Sequence, residues 1–175
     1  MSNALTLDLS LTKRVAALLI ARQQTLAVSE SSSGGLISAA LLSVPGASAY
    51  FLGGGVIYTA KAREALLGVT PEKMEGMRSA TPDAAKLYAS TVRRNMDADW
   101  GLAETGATGP TGNRYGDAAG HCCLAVDGAI TSERVLETGS ADRMDNMIAF
   151  ANAALALLAQ TLIDADEHAI QDDKP

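Results

Sequence analysis

Apolar positions along the first forty residues switch between helical and strand-like spacing. Residues 11–19 place their apolar side chains on one face of a helix, for which Ser10 is a plausible N-cap. The short, β-branched run over 25–28 predicts a buried strand, and residues 36–42 return to helical spacing. The chain is therefore predicted to begin with a helix, a strand and a second helix.

A second strand is predicted around three consecutive glycines. Residues 50–52 and 56–58 are strand-like, and Gly53–Gly55 between them indicate a bulge or a close backbone approach. Because three glycines weaken a strand, either close packing of a helix or contact with a ligand is expected there, and both explanations stay open. Residues 60–67 then predict a short helix that Gly68 ends.

The second half of the chain predicts two helices and three strands. The strand over 100–103 is followed by a glycine loop over 105–112. The other elements are a helix that starts at Thr81-Pro82-Asp83, strands over 122–126 and 130–136 joined by a tight turn at Asp127-Gly128, and a helix from about Asp142 to Leu162.

The order of these elements predicts the fold class. Helices alternate with strands and an antiparallel hairpin follows, which predicts an α/β fold: a three-layer α/β/α domain with a mixed, mostly parallel sheet ending in an antiparallel hairpin. With no internal repeat and no linker, we expect one domain over residues 9–163. Residues 1–8 and 164–175 carry no clear pattern and are predicted to be flexible tails.

Composition narrows the classes of function. Hydrophobic residues make up 47% of the 175 residues and charged residues 19%, which is typical of a compact protein rather than a disordered one. The net charge of −6 argues against a nucleic-acid partner, because phosphate contacts need clustered Lys and Arg. We also expect no membrane segment, no signal peptide and a cytoplasmic location.

The two cysteines, Cys122 and Cys123, are adjacent in a strand-like run. Neighbouring residues on a strand point to opposite faces, so we expect neither a structural disulfide nor a metal pair.

The stretch Ser29-Glu30-Ser31-Ser32-Ser33-Gly34-Gly35 is the strongest candidate for chemistry. It lies at a strand-to-helix turn, where the glycines allow close backbone approach and free helix N–H groups favour an anion. A serine held there can be a nucleophile if a nearby group takes its proton. The alternative is a cluster of N-cap residues, since Ser and Gly are common at helix starts.

With both glycine loops located, residues 11–162 resemble the C-terminal domain of the competence/damage-inducible protein CinA, a family that includes nicotinamide-nucleotide amidases. The family pattern Ala-Glu-Ser-Cys-Thr-Gly-Gly matches the Ser29–Gly35 stretch, and Val-Pro-Gly-Ser-Ser-Ala-Tyr-Phe matches Val44–Phe51. Leu67-Gly68-Val69 and the loop from Thr105 to Pro110 match as well. The resemblance implies an α/β/α fold, a homo-oligomer, and hydrolysis of the carboxamide of a pyridine nucleotide without metal or cofactor.

The resemblance also implies roles for individual residues. Ser31 is the nucleophile, and the general base of the family is a Lys in a Tyr-Ser-Asn-Glu-Ala-Lys segment. The ungapped match to Tyr58-Thr59-Ala60-Lys61-Ala62-Arg63 puts Arg63 at the place of that Lys, with Lys61 and Tyr58 also in the predicted catalytic group. The predicted substrate-binding residues are Glu30, Ser33, Gly34, Gly35, Thr105, Gly106, Gly109 and Arg143.

The departures from the family pattern fall at the predicted site. Arginine stays protonated in proteins and cannot act as the base, so His121 is a weak alternative candidate, whereas His168 lies in the predicted tail. Arg114 is expected to replace a cation lost from the second loop, and Met147 occupies the place of a family Arg. Three readings therefore stay open: an amidase, a nucleotide-binding relative without hydrolysis, and a structural domain.

Overall fold

A computed structural model describes residues 6–172, and its five strands form one mixed sheet. The strands are β1 (Leu26–Glu30), β2 (Phe51–Val56), β3 (Trp100–Ala107), β4 (His121–Asp127) and β5 (Ser132–Glu137). Their order is β2-β1-β3-β4-β5, with β1 parallel to β2 and β3, and β4 antiparallel to β3 and β5. Four strands thus share one direction and β4 opposes them, which confirms the predicted mixed sheet.

Helices cover both faces of the sheet, as predicted. They are α1 (Leu9–Arg22), α2 (Leu36–Leu42), α3 (Ala60–Ala62), α4 (Pro82–Asn95) and α5 (Arg143–Asp172). Short 3₁₀ turns span Ala47–Ala49 and Glu72–Met74, and a π turn over Arg63–Leu67 continues α3. Gly68 ends that π turn in the left-handed conformation, with φ at 70°. The helix predicted over 60–67 therefore forms, but with a π turn in its second half.

Two apolar layers hold the sheet between the helices. Alternate side chains of β1 point to opposite layers: Leu26 and Val28 pack with α1, α2 and α5, whereas Ala27 packs with α4. Cys122 and Cys123 are both buried and free, and they also lie in opposite layers, as the alternation predicted. Helix α4 starts as predicted, with the Thr81 hydroxyl accepting a hydrogen bond from the Ala84 N–H.

The cap of α1 and the end of β3 differ from the predictions. Helix α1 is capped by Asp8 instead of Ser10, because the Asp8 carboxylate accepts the N–H groups of Ser10 and Leu11 at 3.0 and 2.9 Å. Strand β3 continues through the first part of the predicted glycine loop. Its Thr105 and Gly106 pair with β4, so the loop begins only at residue 108.

The predicted tight turn at Asp127-Gly128 is a longer loop. Val126 pairs with Ser132, so five residues separate the paired positions. The reason is that Asp127 accepts a hydrogen bond from Arg93 Nε at 2.6 Å, while Gly128 lies against the Trp100 ring. A Cβ at Gly128 would come within 2.2 Å of that ring, so the close approach requires glycine.

Helix α5 extends well past the predicted end at Leu162 and includes most of the predicted 164–175 tail. Of the helices in residues 6–172, it alone is long and apolar enough to cross a membrane, by length and composition only. Its apolar face, including Phe150, Leu155 and Leu158, is fully buried in the core. Such burial is typical of a core helix. Residues 1–5 of the predicted N-terminal tail lie outside the described part of the chain.

Candidate functional site

A cavity of about 450 Å³ lies where β1 and β2 end, as expected for an α/β sheet, whose ligands bind beyond the carboxyl ends of its parallel strands. Ser31 follows β1, Tyr58 and Arg63 follow β2, and Thr105 and Gly106 belong to β3. All five line the cavity, so the structure brings together predicted residues from three separate segments. Sequence reasoning missed other lining residues: Met74, Met77, Ser79, Ala80, Tyr88, Asn113 and Tyr115.

A smaller cavity of about 220 Å³ adjoins the first and shares Tyr58, Gly106 and Asn113 with it. Its wall is the loop after β3, including Gly109, and the Arg143 side chain. Arg143 Nη1 donates to the Gly109 carbonyl at 2.6 Å, and Nη2 donates to the Tyr58 hydroxyl at 3.1 Å. The guanidinium is thereby fixed between the two cavities.

The charges around these cavities are all positive. Arg63 and Arg114 line the larger cavity and Arg143 lines the smaller one, whereas no Asp or Glu of the described residues lines either. Arg114 also lies over the Tyr115 ring, 5.0 Å from its centroid. An acidic protein therefore presents a cationic pocket, which suits an anionic ligand.

Arg63 and Lys61 occupy different environments. Arg63 Nη1 donates to Ser79 Oγ and to the Tyr88 hydroxyl, both at 3.3 Å, which holds the guanidinium against the cavity wall. Lys61 is exposed and does not line the cavity. Of the two cations in this segment, only Arg63 lines the Ser31 cavity.

Ser31 is partly exposed at the cavity, and its backbone N–H donates to Glu104 Oε2 at 3.0 Å. Within residues 6–172 its hydroxyl makes no hydrogen bond to another group of the chain. The hydroxyl is therefore available to a ligand, but it has no general base in contact with it.

Glu30, which the resemblance places among the substrate-binding residues, lines neither cavity. Its carboxylate is fully buried and accepts the N–H groups of Gly35, Ile37 and Ser38 at 2.9, 3.0 and 2.8 Å. The N–H groups at the start of α2 are therefore satisfied by the chain itself. The N–H groups expected to be free for an anion at this helix start are therefore occupied by the Glu30 carboxylate.

Three further predicted residues also lie away from the cavities. Gly34 and Gly35 line neither of them, and the Ser33 side chain is fully buried. Gly34 lies instead against Met147 of α5, where a Cβ would come within 2.8 Å of the methionine Cε. These residues shape the turn behind Ser31 and line neither cavity.

Glu104 on β3 is a buried acid next to the Ser31 turn that sequence reasoning missed. Its fully buried carboxylate accepts the N–H groups of Ser31 and Ser33 at 3.0 and 2.8 Å, and the hydroxyls of Ser32 and Ser33 as well. Burial raises the pKa of Glu104, and the hydrogen bonds from the serines oppose that effect only in part. The one available signal was an acid within an otherwise apolar strand.

His121 is excluded as a base by its contacts. Nε2 lies 2.9 Å from the Ala80 carbonyl, which can only accept, so this nitrogen carries a proton, and Nδ1 faces the Glu137 carboxylate. Burial acts to lower the pKa of His121, but the hydrogen bonds to Glu137 and Ala80 outweigh it and raise the pKa above 6.5. The ring is a structural cation that holds the segment next to the cavity. His168 is exposed on α5.

This raised pKa predicts a pH-dependent stability. The imidazolium stabilises the folded protein fully below its ordinary pKa of 6.5, and the stabilisation is lost as the pH rises through the higher folded value. The difference in unfolding free energy between wild type and His121→Gln should therefore shrink on going from about pH 5 to about pH 9. Urea unfolding at several pH values measures it, and a constant difference would contradict the assignment.

Comparison with known proteins agrees with this architecture. The family described as the CinA C-terminal domain matches residues 8–162. A CinA-like protein of Desulfosudis oleivorans is 37% identical over 158 residues, covering 89% of this chain and 38% of the relative. One of Myxococcus xanthus is 38% identical over 144 residues, covering 81% of this chain and 34% of the relative. The chain thus spans less than two fifths of the length of these curated relatives.

Solved structures show the same fold. The competence-damaged protein (CinA) superfamily protein from Enterobacter cloacae superposes with a TM-score of 0.82 at 30% identity, covering 90% of this chain and 94% of that one. The competence damage-inducible protein A from Klebsiella pneumoniae gives a TM-score of 0.84 at 26% identity, covering 90% and 98%.

Proposed function

This chain belongs to the CinA C-terminal domain family, and from that premise we propose that it binds nicotinamide mononucleotide and hydrolyses its carboxamide at Ser31. The products are nicotinic acid mononucleotide and ammonia. The same proposal places the protein in the cytoplasm as a homo-oligomer that needs no metal or cofactor and has neither a nucleic-acid nor a membrane partner.

The observation that carries the proposal is the set of three arginines around two adjoining cavities without a lining carboxylate. The smaller cavity, with Arg143 and the glycine-rich loop, suits a phosphate, because guanidinium groups bind phosphate oxygens through paired hydrogen bonds. The larger cavity, with Ser31, Met74 and Tyr88 on its wall, then takes the ribose and the pyridine ring.

In this arrangement the chemistry is acyl transfer through Ser31. Its oxygen attacks the carboxamide carbon, the C–N bond breaks, and ammonia leaves with the serine proton. Water then hydrolyses the resulting ester, which frees the Ser31 hydroxyl and the carboxylate product. Arg63 can stabilise the negative charge that develops on the carbonyl oxygen, but it cannot accept the serine proton. Hydrolysis by the wild-type protein is therefore slow.

A second candidate function is nucleotide binding without turnover. It is favoured by one specific observation: within residues 6–172 no general base contacts the Ser31 hydroxyl, while the arginine-lined cavities are intact. The two candidates share the bound nucleotide and differ only in the release of ammonia.

Replacing Arg143 by methionine should weaken nicotinamide mononucleotide binding about tenfold or more, because a charge-assisted hydrogen bond contributes about 1.5–3 kcal/mol. Nicotinamide riboside, which has no phosphate, should bind both proteins equally. Isothermal titration calorimetry measures both ligands, with Arg94→Met, an exposed arginine on α4, as the matched control. Equal loss of affinity for both ligands would place the phosphate elsewhere.

A further inference from the structure

We propose that a third cavity, on the α4 face of the sheet, binds a small, uncharged and mainly apolar molecule through the hydroxyl of Ser29. The cavity has a volume of about 570 Å³ and lies between β1, β2, the π turn over Arg63–Leu67 and the end of α4. It shares only Ile57 with the lining of the Ser31 cavity and does not depend on the function proposed for that site.

The Ser29 side chain is the first observation. Ser29 is 1% exposed, and its Oγ is the only buried side-chain nitrogen or oxygen in residues 6–172 that lacks a hydrogen-bond partner. Because β1 alternates between faces, with Ala27 packed against α4, Ser29 also faces the α4 side. A buried hydroxyl without a hydrogen-bond partner destabilises the fold, so a ligand group that hydrogen-bonds to Ser29 would be bound favourably.

The glycines of β2 are the second observation, and they behave differently from one another. A Cβ at Gly54 would come within 2.7 Å of Ser38 Oγ, so packing against α2 explains that glycine. A Cβ at Gly55 would meet nothing within 4 Å, although Gly55 pairs directly with Ser29. The surrounding residues therefore do not require glycine at position 55. Because Gly55 has no side chain, space is left beside the Ser29 hydroxyl.

The remaining wall sets the chemistry of the ligand. It is mainly aliphatic, with Leu67 and Val92 buried and Leu66 and Met96 on an exposed rim, and no charged residue of the described chain lines it. Asn95 Nδ2 already donates a hydrogen bond to the Leu67 carbonyl at 2.9 Å. An ion would lose its hydration here without compensation, so the cavity suits a neutral molecule with one hydrogen-bonding group.

N-phenyl-1-naphthylamine is a suitable probe, because it is neutral and apolar, carries one N–H and fluoresces when it leaves water. Gly55→Leu should fill the space beside Ser29 and weaken probe binding more than about tenfold, as overfilling a site excludes its ligand. Ala129→Leu is the matched control, since it adds the same side chain at an exposed loop position. Circular dichroism verifies that both variants fold.

Ser29→Ala separates a binding role from a structural one. Ser29→Ala should weaken probe binding about threefold to tenfold, which corresponds to the usual net contribution of one hydrogen bond. It should also raise the unfolding temperature of the ligand-free protein, because an unpaired buried hydroxyl is removed. A lower unfolding temperature with unchanged probe binding would overturn the proposal. So would a homodimer in sedimentation that Gly55→Leu dissociates, because a second copy of the chain would then be the occupant.

Discussion

Arg63→Lys should raise the rate of ammonia release from nicotinamide mononucleotide by about 10²- to 10⁴-fold, the usual contribution of a positioned general base. Arg63 lines the Ser31 cavity, held by Ser79 and Tyr88, but a guanidinium does not lose its proton. A lysine at the same position can be desolvated until it is neutral and accepts the serine proton. The rate should then rise with pH as the amine deprotonates.

Two controls locate the base. Lys61→Ala should leave the rate unchanged, because Lys61 is exposed and does not line the cavity. Adding Ser31→Ala to Arg63→Lys should abolish the gain. If Lys61→Ala instead abolishes a fast wild-type rate, Lys61 is the base and the assignment of Arg63 is wrong.

Glu104→Ala should lower the free energy of unfolding by about 3 kcal/mol or more. The substitution leaves the N–H groups of Ser31 and Ser33 without their acceptor, and each unsatisfied buried group costs about 1–3 kcal/mol. It also removes the acceptor of the Ser32 hydroxyl. Urea unfolding followed by circular dichroism measures the change, and an unchanged midpoint would show that the serine loop is held by other contacts.

Glu104→Gln is the matched variant. Its amide oxygen can accept the two N–H groups and its NH₂ can donate to Ser32, as a protonated carboxyl would, so this variant should keep the loop. Because the pKa of Glu104 is raised, its stabilising effect is complete below the ordinary value of 4.5 and declines as the pH rises through the folded value. Wild type should therefore lose stability relative to Glu104→Gln with rising pH.

Local signals predicted most of the elements. Cap residues at Thr81 and a left-handed glycine at Gly68 act within one turn of the chain, so their effect can be seen without the tertiary structure. Pairing between distant segments cannot be seen in this way. The glycine-rich stretch 105–112 predicts a loop at Gly106, yet Gly106 pairs with Cys122 of β4. The unpatterned residues after 163 likewise predict a tail, yet most of them continue helix α5.

The residues predicted for the candidate site fall into two groups, those that line the cavity and those that face the interior. Ser31, Arg63, Thr105 and Gly106 line the Ser31 cavity because they follow or end strands at one edge of the sheet. Glu30 and Ser33 share the Ser31 motif but turn inward, toward α2 and Glu104. Which side of a loop faces the solvent depends on buried partners from other strands, and a motif does not contain that information.

Ammonia release from nicotinamide mononucleotide by the purified wild-type protein tests the central claim most directly. We predict slow release, with one nicotinic acid mononucleotide formed for each ammonia, and none from Ser31→Ala, which should still bind the nucleotide. Bound nucleotide with no ammonia from either wild type or Arg63→Lys would contradict the hydrolytic role of Ser31.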